Sequence, residues 1–185
     1  INVINNTTVT LVLYDKDTEG NHKDFAHVLG DFNNWELTNK EDCQMCRDDA
    51  AGCWWITLNN LNPTKEYAFQ YYVGTKGGET IRLADAYCEK ILDPEHDDDI
   101  PASAYPDNKT YPKGGKGIVS VFKIQRDNYA WTVSDFKMQH PKQPVIYEMH
   151  LRDFTTGRTI NSALQKLDYL KDMASTHRVD ACSGV

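Results

Sequence analysis

The sequence lacks three features that would each define a class of protein. Basic residues are not in excess: 20 Lys and Arg stand against 27 Asp and Glu, a net charge of −7. Because nucleic-acid binding needs a basic face, the charge argues against nucleic acid as a partner. No run of about 18 apolar residues occurs, so no membrane span is predicted. With 185 residues, the chain is also too short for a complete (β/α)₈ barrel, which takes about 250.

The composition is that of a chain that can bury a core. Hydrophobic residues make up 40% and charged residues 25%, close to the average of globular proteins, so wholesale disorder is not expected. The length allows one domain, or one domain and part of a second. The first residue, Ile1, is expected to be a processed or trimmed end.

The sequence contains an odd number of cysteines. The five residues are Cys43, Cys46, Cys53, Cys88 and Cys182, so at least one thiol is unpaired in a monomer. Cys43 and Cys46 form a C-x₂-C with Cys53 nearby, which could supply three ligands of a zinc site, but no second pair lies beside them to complete the tetrahedron. We therefore expect reduced thiols on a solvated loop, with neither a metal nor a cofactor.

Through residue 125 the apolar runs are short, rich in β-branched and aromatic residues, and separated by turn formers, which predicts strands. Such strands are typical of an antiparallel sandwich. The stretch from 87 to 117 contains four prolines and is too long for a hairpin, so it should either cover the sandwich or reach a neighbour. The expected strands are 8–15, 25–30, 53–59, 66–73, 80–85 and 117–125.

From about residue 144 the hydrophobic pattern changes. The segment 145–151 reads as a strand without clean alternation, and apolar residues then recur at helical spacing over 160–173. Asn161 or Ser162 is expected to cap the start of this helix. Strand, loop and amphipathic helix form the first half of a βαβ unit, so a second domain begins here and is not finished.

Four segments carry a resemblance to known families. Residues 30–35 (GDFNNW) and 67–73 (YAFQYYV) resemble the starch- and glycogen-binding sandwich module of branching enzymes, isoamylases, pullulanases and the β-subunit of an energy-sensing kinase. Residues 145–155 (VIYEMHLRDFT) and 167–172 (LDYLKD) are similar to the first barrel strand and the start of the first helix of α-amylase-superfamily enzymes. The order of the matches is the order in those enzymes.

The resemblance implies a domain plan. An immunoglobulin-like, early-set sandwich of the carbohydrate-binding-module type spans 1–125, and 126–143 is a connector. The first strand and helix of a truncated α-amylase-type barrel follow over 144–173. The tail, 174–185, departs from the superfamily pattern and is expected to come from truncation or from an added non-native segment rather than from the natural enzyme.

The predicted sugar contact is the turn at Asn33, Asn34 and Trp35. Sugar sites pair an aromatic platform with amide side chains that both donate and accept hydrogen bonds. The alternative is that the two asparagines supply turn geometry while Trp35 folds onto the sheet edge. Trp54 and Trp55 are adjacent on a strand and point to opposite faces, so the outer one is a secondary candidate.

Two departures from the family's binding pattern weaken the expected contact. Gln70 stands where binding members place a lysine, and 77–82 lacks their second tryptophan. Binding of α-glucan through Asn33, Asn34, Trp35 and Gln70 should therefore be weak, and packing on the barrel is the preferred role.

No catalytic residue is expected. Retaining α-glucan enzymes use two carboxylates about 5–5.5 Å apart, but Glu148 and Asp153 would face opposite ways on a strand. Glu148, His150 and Arg152 would share a face that lines a barrel interior, where an internal polar network is favoured. In the superfamily, the catalytic acids come from the fourth, fifth and seventh barrel strands.

The function expected from the sequence is an accessory module of an α-glucan-processing glycoside hydrolase, inactive alone. The alternative is a stand-alone glucan-binding or regulatory module that uses Trp35. Expected partners are α-glucan, the missing catalytic barrel and a second copy of the chain, which would cover the apolar stripe of 160–173. The sequence leaves the compartment open, with a secreted or periplasmic bacterial parent enzyme as one option.

Overall fold

The computed structural model describes residues 1–16, 23–38, 40–126, 129–133, 135 and 148–176. The chain divides into two compact units, 1–128 and 129–185. Each unit is described by itself.

The described part of the first unit is built from short strands. They are β1 Asn2–Asn5, β2 Thr8–Tyr14, β3 Phe25–Gly30, β4 Cys46–Asp48, β5 Cys53–Leu58, β6 Tyr67–Gly74, β7 Thr80–Leu83, β8 Lys90–Leu92 and β9 Val119–Phe122. A one-turn helix, α1 (Lys40–Cys43), precedes β4, and a 3₁₀ turn covers Asp97–Asp99.

The strands form two antiparallel sheets. The four-stranded sheet has the order β1-β2-β5-β4, and the five-stranded sheet has the order β3-β6-β9-β8 with β7 also paired to β6. Strand β6 is the centre of the second sheet: β3 pairs along one side of it, and β9 and β7 share the other side. This register leaves a gap between β9 and β7 at Gln70.

One core cluster joins the two sheets. Val9 and Leu11 of β2 and Ile56 of β5 belong to it together with Phe69 and Tyr71 of β6. Since side chains alternate along a strand, the neighbours of these residues lie on the outer faces. The chain is mainly β, and the arrangement is consistent with a β-sandwich.

All six expected strands are confirmed as β2, β3, β5, β6, β7 and β9, although β7 ends at Leu83 and β9 covers only Val119–Phe122. The sequence did not predict β1, β4, β8 or α1, which are three or four residues long. Strands this short carry too little of a period-two pattern to stand out.

The long stretch before β9 covers the outer face of the five-stranded sheet. It contributes β8 to the sheet edge. Tyr111 packs with Trp35 against a second core cluster, which consists of Ala68, Leu92, Val119 and Val121. Of the two alternatives, covering the sheet is therefore the one found.

The expectation that the cysteines lie on a solvated loop is wrong for its first three members. Cys43 ends α1 and is buried, Cys46 lies on β4, and Cys53 lies on β5. The thiols of Cys43, Cys46, Cys53 and Cys88 are free, and Cys182 lies outside the described residues.

The described part of the second unit is helical. Helix α2 spans Leu151–Phe154, α3 spans Ile160–Leu164 and α4 spans Leu167–Thr176. Residues 145–147 of the expected strand lie outside the described residues, and the prediction that the strand reaches residue 151 is wrong. His150 caps α2 instead, because its ring nitrogen accepts a hydrogen bond from the Arg152 N–H at 3.2 Å.

The single helix expected over 160–173 is also wrong. The N–H of Lys166 bonds to the carbonyl of Ala163 at 2.9 Å, and this tight three-residue spacing separates α3 from α4. The cap is Thr159, in a capping box with Ser162, rather than Asn161. No helix among the described residues has the length and apolarity needed to span a membrane.

Several apolar side chains of this unit lie on its surface, although Ala163 is buried. Ile160 is 65% exposed and Tyr169 is 55% exposed. The homodimer through this segment stays a prediction. Of the tail, 174–176 continue α4, and 177–185 lie outside the described residues.

Candidate functional site

The GDFNNW segment is a tight turn that follows β3. The N–H groups of Asn33 and Trp35 both donate to the carbonyl of Gly30, at 3.1 and 3.0 Å. Asn34 and Trp35 have φ of 53° and 63°, the left-handed region that non-glycine residues rarely adopt. Two consecutive residues in this region reverse the chain, which carries Trp35 back over the outer face of the five-stranded sheet.

The two asparagines have different roles in the turn. Asn33 accepts from the Gly30 N–H at 2.9 Å, and its amide donates to the carbonyls of Val28 and Asp42, both at 3.0 Å. Its donors and acceptor therefore hold the turn to β3 and α1. Asn34 is exposed.

Trp35 is half-buried and packs with Tyr111 on the second core cluster. Its indole N–H donates to Asp31 Oδ1 at 3.0 Å. Gly114 passes so close that a Cβ placed there would lie 2.3 Å from the Trp35 Cβ, so only glycine fits beneath the indole. The ring thus closes the outer face of the sheet.

Asp31 ties this region together. One carboxylate oxygen accepts from Trp35, and the other accepts from the Ala68 N–H and from Lys109 Nζ, both at 3.0 Å. Burial by itself raises the pKa of the Asp31 carboxyl. The three donors outweigh that effect and hold the pKa below its usual range.

Gln70 fills the gap between β9 and β7. It is 1% exposed. Its amide nitrogen donates to the carbonyls of Lys116 and Ile118 at 2.6 and 2.7 Å, and its oxygen accepts from the Lys116 N–H at 3.1 Å. The Gln70 side chain takes the place of the backbone hydrogen bonds that a continuous neighbouring strand would make at this position. Its amide nitrogen and oxygen both bond to backbone groups of the chain itself.

The opposite end of the same outer face carries a polar aromatic group that the sequence did not predict. Arg82 stacks over Tyr72 with its guanidinium carbon 5.2 Å from the ring centre, and Phe25 contacts Tyr72 and His27. His27 Nδ1 and Arg82 Nη1 are buried without a hydrogen-bond partner among the described residues. Burial lowers the pKa of His27. Alternation along β3 and β6 is the signal that could have found this group.

The two neighbouring tryptophans of β5 point to opposite faces, as expected. Trp54 is buried and donates its indole N–H to Asp15 Oδ2 at 2.8 Å. Trp55 is 39% exposed on the outer face of the four-stranded sheet. A groove of about 760 Å³ lies beside it.

In the second unit, Glu148, His150 and Asp153 line one cavity of about 530 Å³. The expectation that Glu148 and Asp153 face opposite ways is wrong, since Asp153 lies in a helix. The prediction that Glu148, His150 and Arg152 share one face of a strand is also wrong, because His150 caps α2 and Arg152 lies within it. Both carboxylates are exposed.

Among the described residues, no group of three or more His, Cys, Asp or Glu side chains could hold a metal ion. Burial raises the pKa of the Cys43 thiol, and the neighbouring Asp42 carboxylate adds to the effect. This favours the protonated thiol over the thiolate that metals bind.

The chain is similar to three kinds of characterised enzyme. It is 27% identical over 159 residues to a 1,4-alpha-glucan branching enzyme of Clostridium perfringens (82% of this chain, 21% of the enzyme). It is 27% identical over 143 residues to Pullulanase A of Streptococcus pneumoniae (68% and 10%) and 27% identical over 141 residues to the malto-oligosyltrehalose trehalohydrolase of Saccharolobus solfataricus (76% and 20%). All three are α-amylase-superfamily enzymes. No family model matches the chain.

These relatives link the chain to α-glucan metabolism. The chain spans about a fifth of the length of the branching enzyme and a tenth of the pullulanase.

Proposed function

We propose that this chain is the N-terminal accessory module of a glycoside hydrolase family 13 enzyme that processes α-glucan. Residues 1–125 form an immunoglobulin-like, early-set sandwich of the carbohydrate-binding-module type, 126–143 a connector, and 144–173 the start of the barrel. The similarity over 82% of the chain to a branching enzyme, which spans both parts, supports this plan. The module's main role is to pack on the catalytic barrel.

One observation carries the packing role. Asn33, Trp35 and Gln70 direct their polar groups into the chain's own backbone and Asp31. A sugar would have to replace these bonds to use the same atoms, and leaving buried partners unsatisfied costs about 1–3 kcal/mol each. Such a face suits a structural module better than a high-affinity binder.

The proposal makes the isolated chain catalytically inactive. We expect no release of reducing sugar from starch, pullulan or glycogen, because the paired carboxylates of a retaining enzyme are proposed to lie in later barrel strands. Turnover that persists through repurification and disappears in a Glu148→Gln or Asp153→Asn variant would overturn this.

The second candidate is a stand-alone glucan-binding or regulatory module. It is favoured by the exposed Asn34, which directly precedes the half-buried Trp35 in the turn. Electrophoresis through gels that contain glycogen separates the candidates. Retardation lost in Trp35→Ala and also in Asn34→Ala supports the binder, whereas retardation unchanged in Asn34→Ala supports the packing module.

A further inference from the structure

A groove lies on the four-stranded sheet, away from the GDFNNW turn. We call it the Trp55 groove, and it has a volume of about 760 Å³. Its lining consists of Lys40, Glu41, Gln44, Met45, Cys46, Arg47, Trp54, Trp55, Ile56 and Thr57.

The groove exists because the edge strand is shorter than its neighbour. Strand β4 pairs with Cys53–Trp55 only, while β5 continues to Leu58. Among the described residues, no strand covers that last half of the β5 edge. Helix α1 and the two residues after it form the opposite wall.

Trp55 differs from the other tryptophans of the two-sheet unit. The indole N–H groups of Trp35 and Trp54 are bonded to Asp31 and Asp15. Among the residues that the structure describes, none is hydrogen-bonded to the indole N–H of Trp55. Trp55 is 39% exposed and lines the groove, so it offers an apolar surface and a donor that has no partner among the described residues.

The rest of the lining is mixed, since Met45 and Ile56 are apolar and the polar groups carry two positive charges and one negative. Gln44 is exposed and offers an amide, and the hydroxyl of Thr57 shares a hydrogen bond with Thr10 at 2.8 Å. Lys40 and Glu41 have opposite charges, and Arg47 is paired with Asp49. An aromatic face beside amide and hydroxyl groups fits a neutral ligand that has apolar faces and many hydroxyls.

We propose that the Trp55 groove binds a short segment of α-glucan, with a sugar ring stacked on Trp55 and its hydroxyls bonded to the indole N–H and Gln44. The choice of α-glucan rests on the proposed function. The contact lies on a different sheet from Asn33, Asn34, Trp35 and Gln70. A groove with one aromatic platform gives weak binding, which suits a surface that holds a long polymer near a catalytic domain through many contacts.

The test uses the whole chain in gels with increasing glycogen, and calorimetry with maltoheptaose as a defined probe. Trp55→Ala should weaken binding about tenfold, since it removes both the stacking surface and the donor. Trp55→Phe keeps the ring and should retain part of the affinity. Tyr87→Ala is the matched control, because Tyr87 is 75% exposed and lies outside the groove.

Several results would overturn the inference. A wild-type chain that glycogen does not retard, or retardation that Trp55→Ala leaves unchanged, removes the groove as a glucan site and leaves the accessory role standing. If Trp55→Ala alters only sedimentation, the groove is a protein interface and the inference is wrong. Release of reducing sugar by the chain, by contrast, overturns the proposed function and not the groove.

Discussion

Trp35 and Trp55 lie on the outer faces of the two sheets, and their surroundings differ. Trp35 belongs to a turn that resembles a sugar-binding motif, yet its N–H is bonded to Asp31 and its ring lies against Gly114. Trp55 belongs to no motif, yet none of the described residues accepts a hydrogen bond from its N–H, and the residue lines a groove. A motif therefore fixes where an aromatic ring lies, while the hydrogen-bond partners of the ring determine what remains available to a ligand.

Replacing each tryptophan by alanine gives the largest expected contrast. Trp35→Ala should lower the free energy of unfolding by about 2–4 kcal/mol, because it opens a cavity over the second core cluster. Trp55→Ala should lower it by less than about 1 kcal/mol, as for a surface side chain. Urea titration of both variants measures the losses. Equal losses would show that the two rings are equally structural.

The strands of the two-sheet unit could be predicted because each buries a face whose alternation is written in the sequence. Val28, Phe69 and Tyr71, for example, enter the core at every second position. In the second unit, the structure differs more from what the hydrophobic pattern predicted. Its expected strand would need neighbouring strands for hydrogen bonds, and its helix breaks at a tight turn near Ala163 that the apolar spacing does not encode.

The site was predictable in outline only. The turn and the strand positions identified Asn33, Trp35 and Gln70, but their bonds to Asp42, Asp31 and Lys116 depend on segments that are distant along the chain. The Trp55 groove depends on α1 and β4, which are too short to give a periodic signal. Conversely, the sequence predicted that Trp54 and Trp55 point to opposite faces, although it did not show which of the two is buried.

A second contrast compares two glutamines. Gln70→Ala should lower the free energy of unfolding by about 2 kcal/mol, because it leaves the backbone groups of Lys116 and Ile118 without their partner. Gln44→Ala, on the wall of the Trp55 groove, should change it by less than about 0.5 kcal/mol. Urea midpoints at matched m-values give the comparison. A Gln70→Ala variant as stable as Gln44→Ala would contradict the role of Gln70 in filling the gap.

Acid should lower the free energy of unfolding by protonating Asp31, which accepts the hydrogen bond from Trp35. The pKa of Asp31 is lowered in the folded state, so its contribution is complete above the unfolded pKa of about 3.9 and is lost as the pH falls through the folded pKa. Asp31→Asn should cost about 1–2 kcal/mol at pH 7. It should also make the stability change between pH 5 and pH 2 smaller than in the wild-type chain.

Asp15 is the control for this acid response. Burial raises the pKa of Asp15, but hydrogen bonds from Lys23 and Trp54 outweigh that effect and lower it. An Asp31→Asn variant should therefore keep part of the loss of stability at low pH. The double variant with Asp15→Asn should keep less of that pH dependence. Thermal unfolding at stepwise pH shows this. A pH dependence unaffected by Asp31→Asn would mean that its donors do not favour the carboxylate.

The smallest expected effect separates two tyrosines on opposite outer faces. The hydroxyl of Tyr111 donates to the Gly117 carbonyl at 2.8 Å, beside Trp35. Tyr14 is 65% exposed on the four-stranded sheet, and its ring contacts only Tyr87 among the described aromatic residues. Tyr111→Phe keeps the ring and removes one hydrogen bond, so it should cost about 1 kcal/mol.

Tyr14→Phe should change the stability by less than about 0.3 kcal/mol, because water satisfies that hydroxyl in the folded and unfolded chain alike. Amide hydrogen exchange of Gly117–Val119 adds a local readout. Faster exchange in Tyr111→Phe, with none in Tyr14→Phe, would show that the segment over the five-stranded sheet is held by its own bonds. Equal exchange would mean that Trp35 is covered by packing alone, and that its N–H and ring are freer for a ligand than the geometry indicates.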